Sequence, residues 1–163
     1  MFKEILVTLD GSEYSERVLP YVQDLATLTP TRVTLLAVIH VDTSLPGSAS
    51  AAPTEGQLRG AHTYLDEHAQ PLRDAGVSEV SVEVRSGIPS RVIVETAREL
   101  QADLIAMATQ GVGAENEEGL GGTASKVLVL APCPVYVVHT RRPSPPRSPA
   151  EERWQEEGGA NVG

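Results

Sequence analysis

The chain has 163 residues, 13 Lys and Arg against 22 Asp and Glu, a formal net charge of -9, and one cysteine. That length fits one domain with a sizeable core and is short for two. The acidic balance argues against direct nucleic-acid or anionic-membrane binding, and a lone cysteine, Cys133, excludes an intrachain disulfide. The opening MFKEILVTLD shows no basic region followed by an apolar run and a cleavage site, and no stretch approaches 18 apolar residues, so a cytoplasmic, membrane-free protein is expected.

Residues 3–9 are rich in Ile, Leu and Val and too short for a capped helix, so they read as a strand buried on both faces. Ser12 then precedes Val18, Leu19, Val22, Leu25, Ala26 and Leu28 at helical spacing, with Glu13 and Glu16 in the first turns. One helix ending near Thr29 and Pro30 is expected. Residues 32–39 are a second apolar strand, followed by a Ser-, Ala-, Pro- and Gly-rich loop over 40–56. Residues 57–75 read as a helix with Leu58, Ala61, Leu65, Ala69 and Leu72 on one face, thinned or kinked at Pro71 and stopped by Gly76.

Residues 79–85 alternate Val80, Val82 and Val84 with polar residues, as an edge strand with one exposed face does. Pro89 opens a helix whose inner stripe is Val92, Ile93, Ala97 and Leu100. Residues 103–109 are a fourth strand, 110–121 a Gly-rich loop, 123–130 a short helix and 135–139 a fifth strand. Alternation of strand and helix throughout demands a parallel sheet with helices on both faces, because right-handed crossovers lay each helix over the sheet. The fold class is therefore a doubly wound α/β domain over residues 1–140, with strand order 3-2-1-4-5. The Pro-, Gly- and charge-rich stretch 141–163, with Trp154 its one large apolar side chain, reads as a disordered tail.

In such sheets ligands bind beyond the carboxyl ends of the strands, where neighbouring connections leave to opposite faces. Between strands one and four those ends carry Thr8, Leu9, Asp10, Gly11 and Ser12 on one side and Ala108, Thr109, Gln110 and Gly111 on the other. Gly111, Gly113, Gly119, Gly121 and Gly122 precede a helix N-terminus, an arrangement that either accommodates an anion or simply connects two elements. No G-x-x-x-x-G-K-[ST] occurs and no G-x-G-x-x-G follows the first strand, which excludes P-loop and dinucleotide-binding readings.

Three ordered segments, KEILVTLDGSEYSERVL, SGIPSRVIVETARELQADLIAMATQG and ASKVLVLAPCPVYVV, resemble the universal stress protein family over nearly all of residues 1–140. The resemblance implies a homodimer, here through the terminal strand Val135–Val138, and an ATP site built on G-x2-G-x9-G-[ST] with an early Asp holding the adenosine part. Read without gaps, that motif falls on Ala108, Gly111, Gly121 and Gly122. Its first Gly has become Ala and its hydroxyl residue Gly, with Thr123 one place late. By the resemblance, Asp10 meets the nucleoside, Val38 lines the adenine pocket, and Gly111, Gly121, Gly122 and Thr123 face the phosphates, with Thr8 and Ala108 as further ATP-binding positions. For Asp10 a loop or helix-cap role stands beside this one.

Glu115, Glu117 and Glu118 lie inside the segment that wraps the phosphates in such a site. Two unit charges about 8 Å apart at an effective dielectric near 20 interact by roughly 2 kcal/mol, more than the 0.3 to 1 kcal/mol of an exposed helix N-terminus. ATP binding is therefore expected to be weak or lost, unless a glutamate helps hold a Mg²⁺ that also bridges phosphates. No metal site is expected from His40, His62, His68 and His139, which lack paired spacing; His62 and His68 read as solvated helix residues. No nucleophile elbow and no base beside a γ-phosphate is legible, so no catalytic residue is assigned and the chain is not expected to be an enzyme. The expectation is a small regulatory protein that acts by binding and self-association, with an unidentified protein partner. An ATP-dependent switch with at most slow hydrolysis is the alternative.

Overall fold

In the computed structural model, which describes residues 1–41, 52–110 and 119–139, the strands are β1 (Glu4–Thr8), β2 (Arg32–His40), β3 (Glu79–Gly87), β4 (Leu104–Ala108) and β5 (Val135–Val138). The helices are α1 (Glu13–Glu16), α2 (Leu19–Thr27), α3 (Glu55–Asp74), α4 (Pro89–Glu99) and α5 (Gly122–Leu130). All neighbouring strands pair parallel in the order β3-β2-β1-β4-β5, the order expected from the alternation.

Strand period 2 divides the core. Ile5, Val7 and Leu9, with Val33 and Leu35, face Val22 and Ala26 of α2 and Leu65, Ala69 and Leu72 of α3. Leu6, Leu36, Ile105 and Met107 face Ile93 and Ala97 of α4 and Ala124 and Val127 of α5. β1 and β4 are buried on both faces, each such Leu or Ile contributing about 1.5–3 kcal/mol relative to exposure. Val80, Val82 and Val84 of β3 pack on the first cluster, as the alternation of an edge strand requires. Among the described residues no helix is long and apolar enough to cross a membrane.

Several elements depart from expectation for local reasons. The single helix expected after Ser12 is two, α1 and α2. Pro20 lacks the N–H that would reach back to Glu16, and the chain bridges the gap with tighter bonds from Arg17 to Tyr14 and Val18 to Ser15, each 3.3 Å. α3 starts at Glu55, where Thr54 and Gln57 form a reciprocal cap. It then runs unbroken through Pro71 to a left-handed Gly76, whose N–H bonds Arg73 while that of Val77 bonds Leu72. Only its second half is buried: Leu58 remains 37% exposed. β3 continues to Gly87, two residues past the expected end. Most of the expected loop over 40–56 and the whole expected tail from 141 lie outside the described residues, as do Gly111, Gly113, Glu115, Glu117 and Glu118.

At the amino ends of the strands, side chains tie neighbouring elements together around a second cavity of about 580 Å³. Asp103 Oδ2 accepts the backbone N–H groups of Lys3 (2.8 Å) and Glu4 (3.0 Å), which hold its carboxyl below the ordinary carboxylate value. Glu4 is buried, which pushes its carboxyl up, while the hydroxyl of Thr34 at 2.7 Å and Arg32 at 3.5 Å oppose that shift. Arg32 also reaches Glu79 at 3.0 Å.

Candidate functional site

At the carboxyl ends the chain from β1 turns to the α1/α2 face and the chain from β4 to the α5 face. A cavity of about 730 Å³ opens between them, in the size range of small-molecule sites. Thr8, Asp10, Val38, Ala108, Gly121, Gly122 and Thr123 all line it. Of the residues that the resemblance gives as nucleotide contacts, Gly111 alone lies outside the described residues.

Asp10 has both of the roles weighed for it: it lines the cavity and it organises the turn. Its Oδ1 accepts from the backbone N–H of Ser12 (2.9 Å) and from the Ser12 hydroxyl (2.6 Å), and its own N–H donates to Ser15 Oγ at 3.2 Å. Ser12 in turn caps α1 by accepting from Ser15 N–H. Gly11 sits at φ 85°, a conformation that glycine adopts without penalty. The carboxylate is thus held at the strand end by its own loop.

Opposite it, the N–H of Gly121 donates to the Thr109 carbonyl at 2.7 Å, tying the end of β4 to the start of α5. A Cβ on Gly121 would stand 3.0 Å from that same carbonyl oxygen, so glycine permits the close approach. No side chain caps α5, which leaves the first N–H groups of that helix, on Gly122, Thr123 and Ala124, at the cavity wall. Lys126 lines the cavity one turn further on.

The structure also brings in residues that the sequence reading passed over: His40, Ile88, Pro89, Ser90, Ile93 and Met107. Most come from the start of α4. Strand order places β3 two positions from the switch point, yet its crossover to β4 must pass over β2 and β1, and that path lays the N-terminus of α4 against the cavity. The crossover geometry was the available signal.

His68 is not a solvated helix residue. Its ring packs against Tyr64, tilted by 49° with centroids 4.5 Å apart, Nδ1 lies 2.8 Å from the Tyr64 carbonyl and Nε2 lies 3.4 Å from Glu16. The Tyr64 hydroxyl donates to the same Glu16 oxygen at 3.0 Å, and burial followed by that carboxylate pushes its pKa up. α3 is thereby fastened to α1 just behind the Asp10 turn. His62 is exposed, and no group of three or more possible metal ligands occurs among the described residues.

The pattern of the universal stress protein family matches residues 1–139. The chain belongs to the universal stress protein family. A universal stress protein of Synechocystis sp. is 31% identical over 138 residues, covering 85% of this chain and 86% of that one. The solved structure of universal stress protein UspA from Lactobacillus plantarum shares the fold with a TM-score of 0.75 at 21% identity, over 83% of this chain and 97% of that one. A universal stress protein family member from Arabidopsis thaliana, solved with AMP bound, matches with a TM-score of 0.61 at 17% identity, over 91% of this chain and 99% of that one.

Within this universal stress protein fold the two motif departures have different surroundings. Ala108 is buried at the end of β4, where its methyl takes up part of the cavity wall. Gly122 is exposed and a Cβ there would meet nothing within 4 Å, so the missing hydroxyl left open space.

Proposed function

We propose that this universal stress protein is a small regulatory protein that works by binding and self-association rather than catalysis, and that its switch-point cavity takes an adenine nucleotide while holding the polyphosphate of ATP weakly. The observation that carries this reading is the gathering of Thr8, Asp10, Val38 and the uncapped start of α5 around one cavity of suitable size. The AMP-bound relative of the same fold supports the ligand class. Weak polyphosphate binding follows from Gly122, which offers no hydroxyl, and from the three glutamates between Gly111 and Gly121. If Mg²⁺ accompanies ATP, those glutamates and the phosphates are the oxygen donors that suit it. Thr123 at the cavity wall keeps open the second reading, an ATP-dependent switch.

Self-association is assigned to β5. It is a sheet edge with free ladder groups, Tyr136 is 37% exposed, and the neighbouring α5 leaves Val129 82% and Leu130 52% exposed.

Thermal unfolding with 1 mM AMP and 1 mM Mg-ATP, and sedimentation of the same samples, test these statements. A dissociation constant near 100 μM gives about 1.4 kcal/mol by linkage, or about 5 °C for a domain of this size. AMP is expected to reach that shift, with Mg-ATP no larger, on a species of dimer mass. A Mg-ATP shift several degrees above that of AMP favours the switch. No shift with either contradicts nucleotide binding, and a monomer mass contradicts the β5 assembly.

A further inference from the structure

The cavity has an apolar end and a polar end, and at the apolar end one polar side chain has no hydrogen-bond partner among the described residues. Ser90 is only 7% exposed, stands directly behind Pro89 in the first turn of α4, and lines the cavity. It makes no side-chain hydrogen bond among the described residues. No fully buried side-chain polar atom there lacks a partner, so the Ser90 hydroxyl must account for part of the accessibility that the residue retains, and the cavity is what it faces. The start of α4 carries no side-chain cap either, so the backbone N–H of Ser90 adds a second donor at the same spot.

The walls around it decide what it meets. Val38, Ile88, Pro89 and Ile93 line this end, with His40 at its rim opposite Gly87, and a phosphate placed among the apolar four would lose its hydration against them. A flat heteroaromatic ring gains from the same walls and needs one or two polar contacts to fix its orientation. The other end supplies the N–H groups of Gly122 and Thr123, together with Lys126, the one Lys or Arg among the described lining residues.

We propose that Ser90 is a specificity-determining contact to the nucleobase, its hydroxyl hydrogen-bonding a nitrogen on the edge of adenine, while Lys126 faces the 5′-phosphate. This rests on the adenine-nucleotide reading above. It agrees with the placement that the family resemblance implies, base beside Val38 and phosphates toward α5, and adds Ser90 as the contact at the base.

Adenosine and AMP, titrated by NMR into wild type, Ser90→Ala and Lys126→Ala, separate the two ends. Ser90→Ala removes a hydroxyl without a partner among the described residues, so its unfolding midpoint is expected to match that of wild type. It is expected to weaken adenosine and AMP by the same factor, about five- to tenfold. Lys126→Ala is expected to weaken AMP by about threefold and to leave adenosine unchanged. Unchanged affinities in Ser90→Ala, with wild type binding both ligands, overturn the role of Ser90 alone. A loss confined to AMP in Ser90→Ala overturns the direction of the ligand. Failure of wild type to bind either compound overturns the nucleotide reading and the assignment with it.

Discussion

The two ends of the parallel sheet use polar residues in opposite ways. At the amino ends several polar groups are answered from within: Asp103 accepts from Lys3 and Glu4, Thr34 donates to Glu4, and Arg32 bridges Glu4 and Glu79. At the carboxyl ends the starts of α4 and α5 carry no side-chain cap, and the Ser90 hydroxyl has no partner among the described residues. A helix start without a cap leaves backbone donors that water, or a ligand in the cavity, satisfies. A second cavity of about 580 Å³ lies at the amino ends, but Glu4, Arg32, Glu79 and Asp103 on its wall are already engaged with groups of the protein. That difference supports the carboxyl end as the site proposed above.

Gly122→Ser sharpens the contrast most. A Cβ there meets nothing within 4 Å, so the hydroxyl enters without strain and adds a donor to a charged phosphate. Affinity for Mg-ATP is expected to rise about tenfold, with adenosine unchanged, as measured by calorimetric titration. An unchanged ATP affinity would assign the weakness to the glutamates alone.

The amino end should respond to pH instead of ligand. Because the N–H groups of Lys3 and Glu4 hold the Asp103 carboxyl below its ordinary value of 3.8, the folded chain binds a proton there less readily than the unfolded chain does. That contribution is present above this value and is lost as pH falls through the lowered one. Asp103→Asn is expected to be less stable than wild type at pH 6, with the difference shrinking steadily between pH 4 and pH 2 in urea denaturation. A difference independent of pH would place the effect in packing rather than charge.

The fold was legible because its elements are locally consistent: apolar runs too short for helices, helices with Ser12 and Gly76 at their ends, and strict alternation between them. Where the reading slipped, one residue or one tertiary contact was responsible. Pro20 split a helix whose apolar spacing continued across the break, and Leu58 kept its place in the stripe of α3 although only the second half of that helix is buried. His68 looked solvated because its partners, Glu16 and the Tyr64 ring, are brought to it by packing and helical turns that spacing alone does not rank. The β1 and β4 sides of the site were legible from strand order. Ser90 was not, because its significance lies in a partner it lacks, and a sequence does not show which hydroxyls go unpaired.

The most direct measurement is an amide-detected NMR titration of the isotope-labelled chain with AMP, comparing the two ends in one experiment. Shifts are expected at Thr8, Asp10, Ser90 and Gly121 to Ala124, with Lys3, Glu4, Gln101 and Asp103 unmoved. Shifts centred on the amino-end residues, or none at millimolar AMP, would contradict the assignment of the carboxyl end as a nucleotide site.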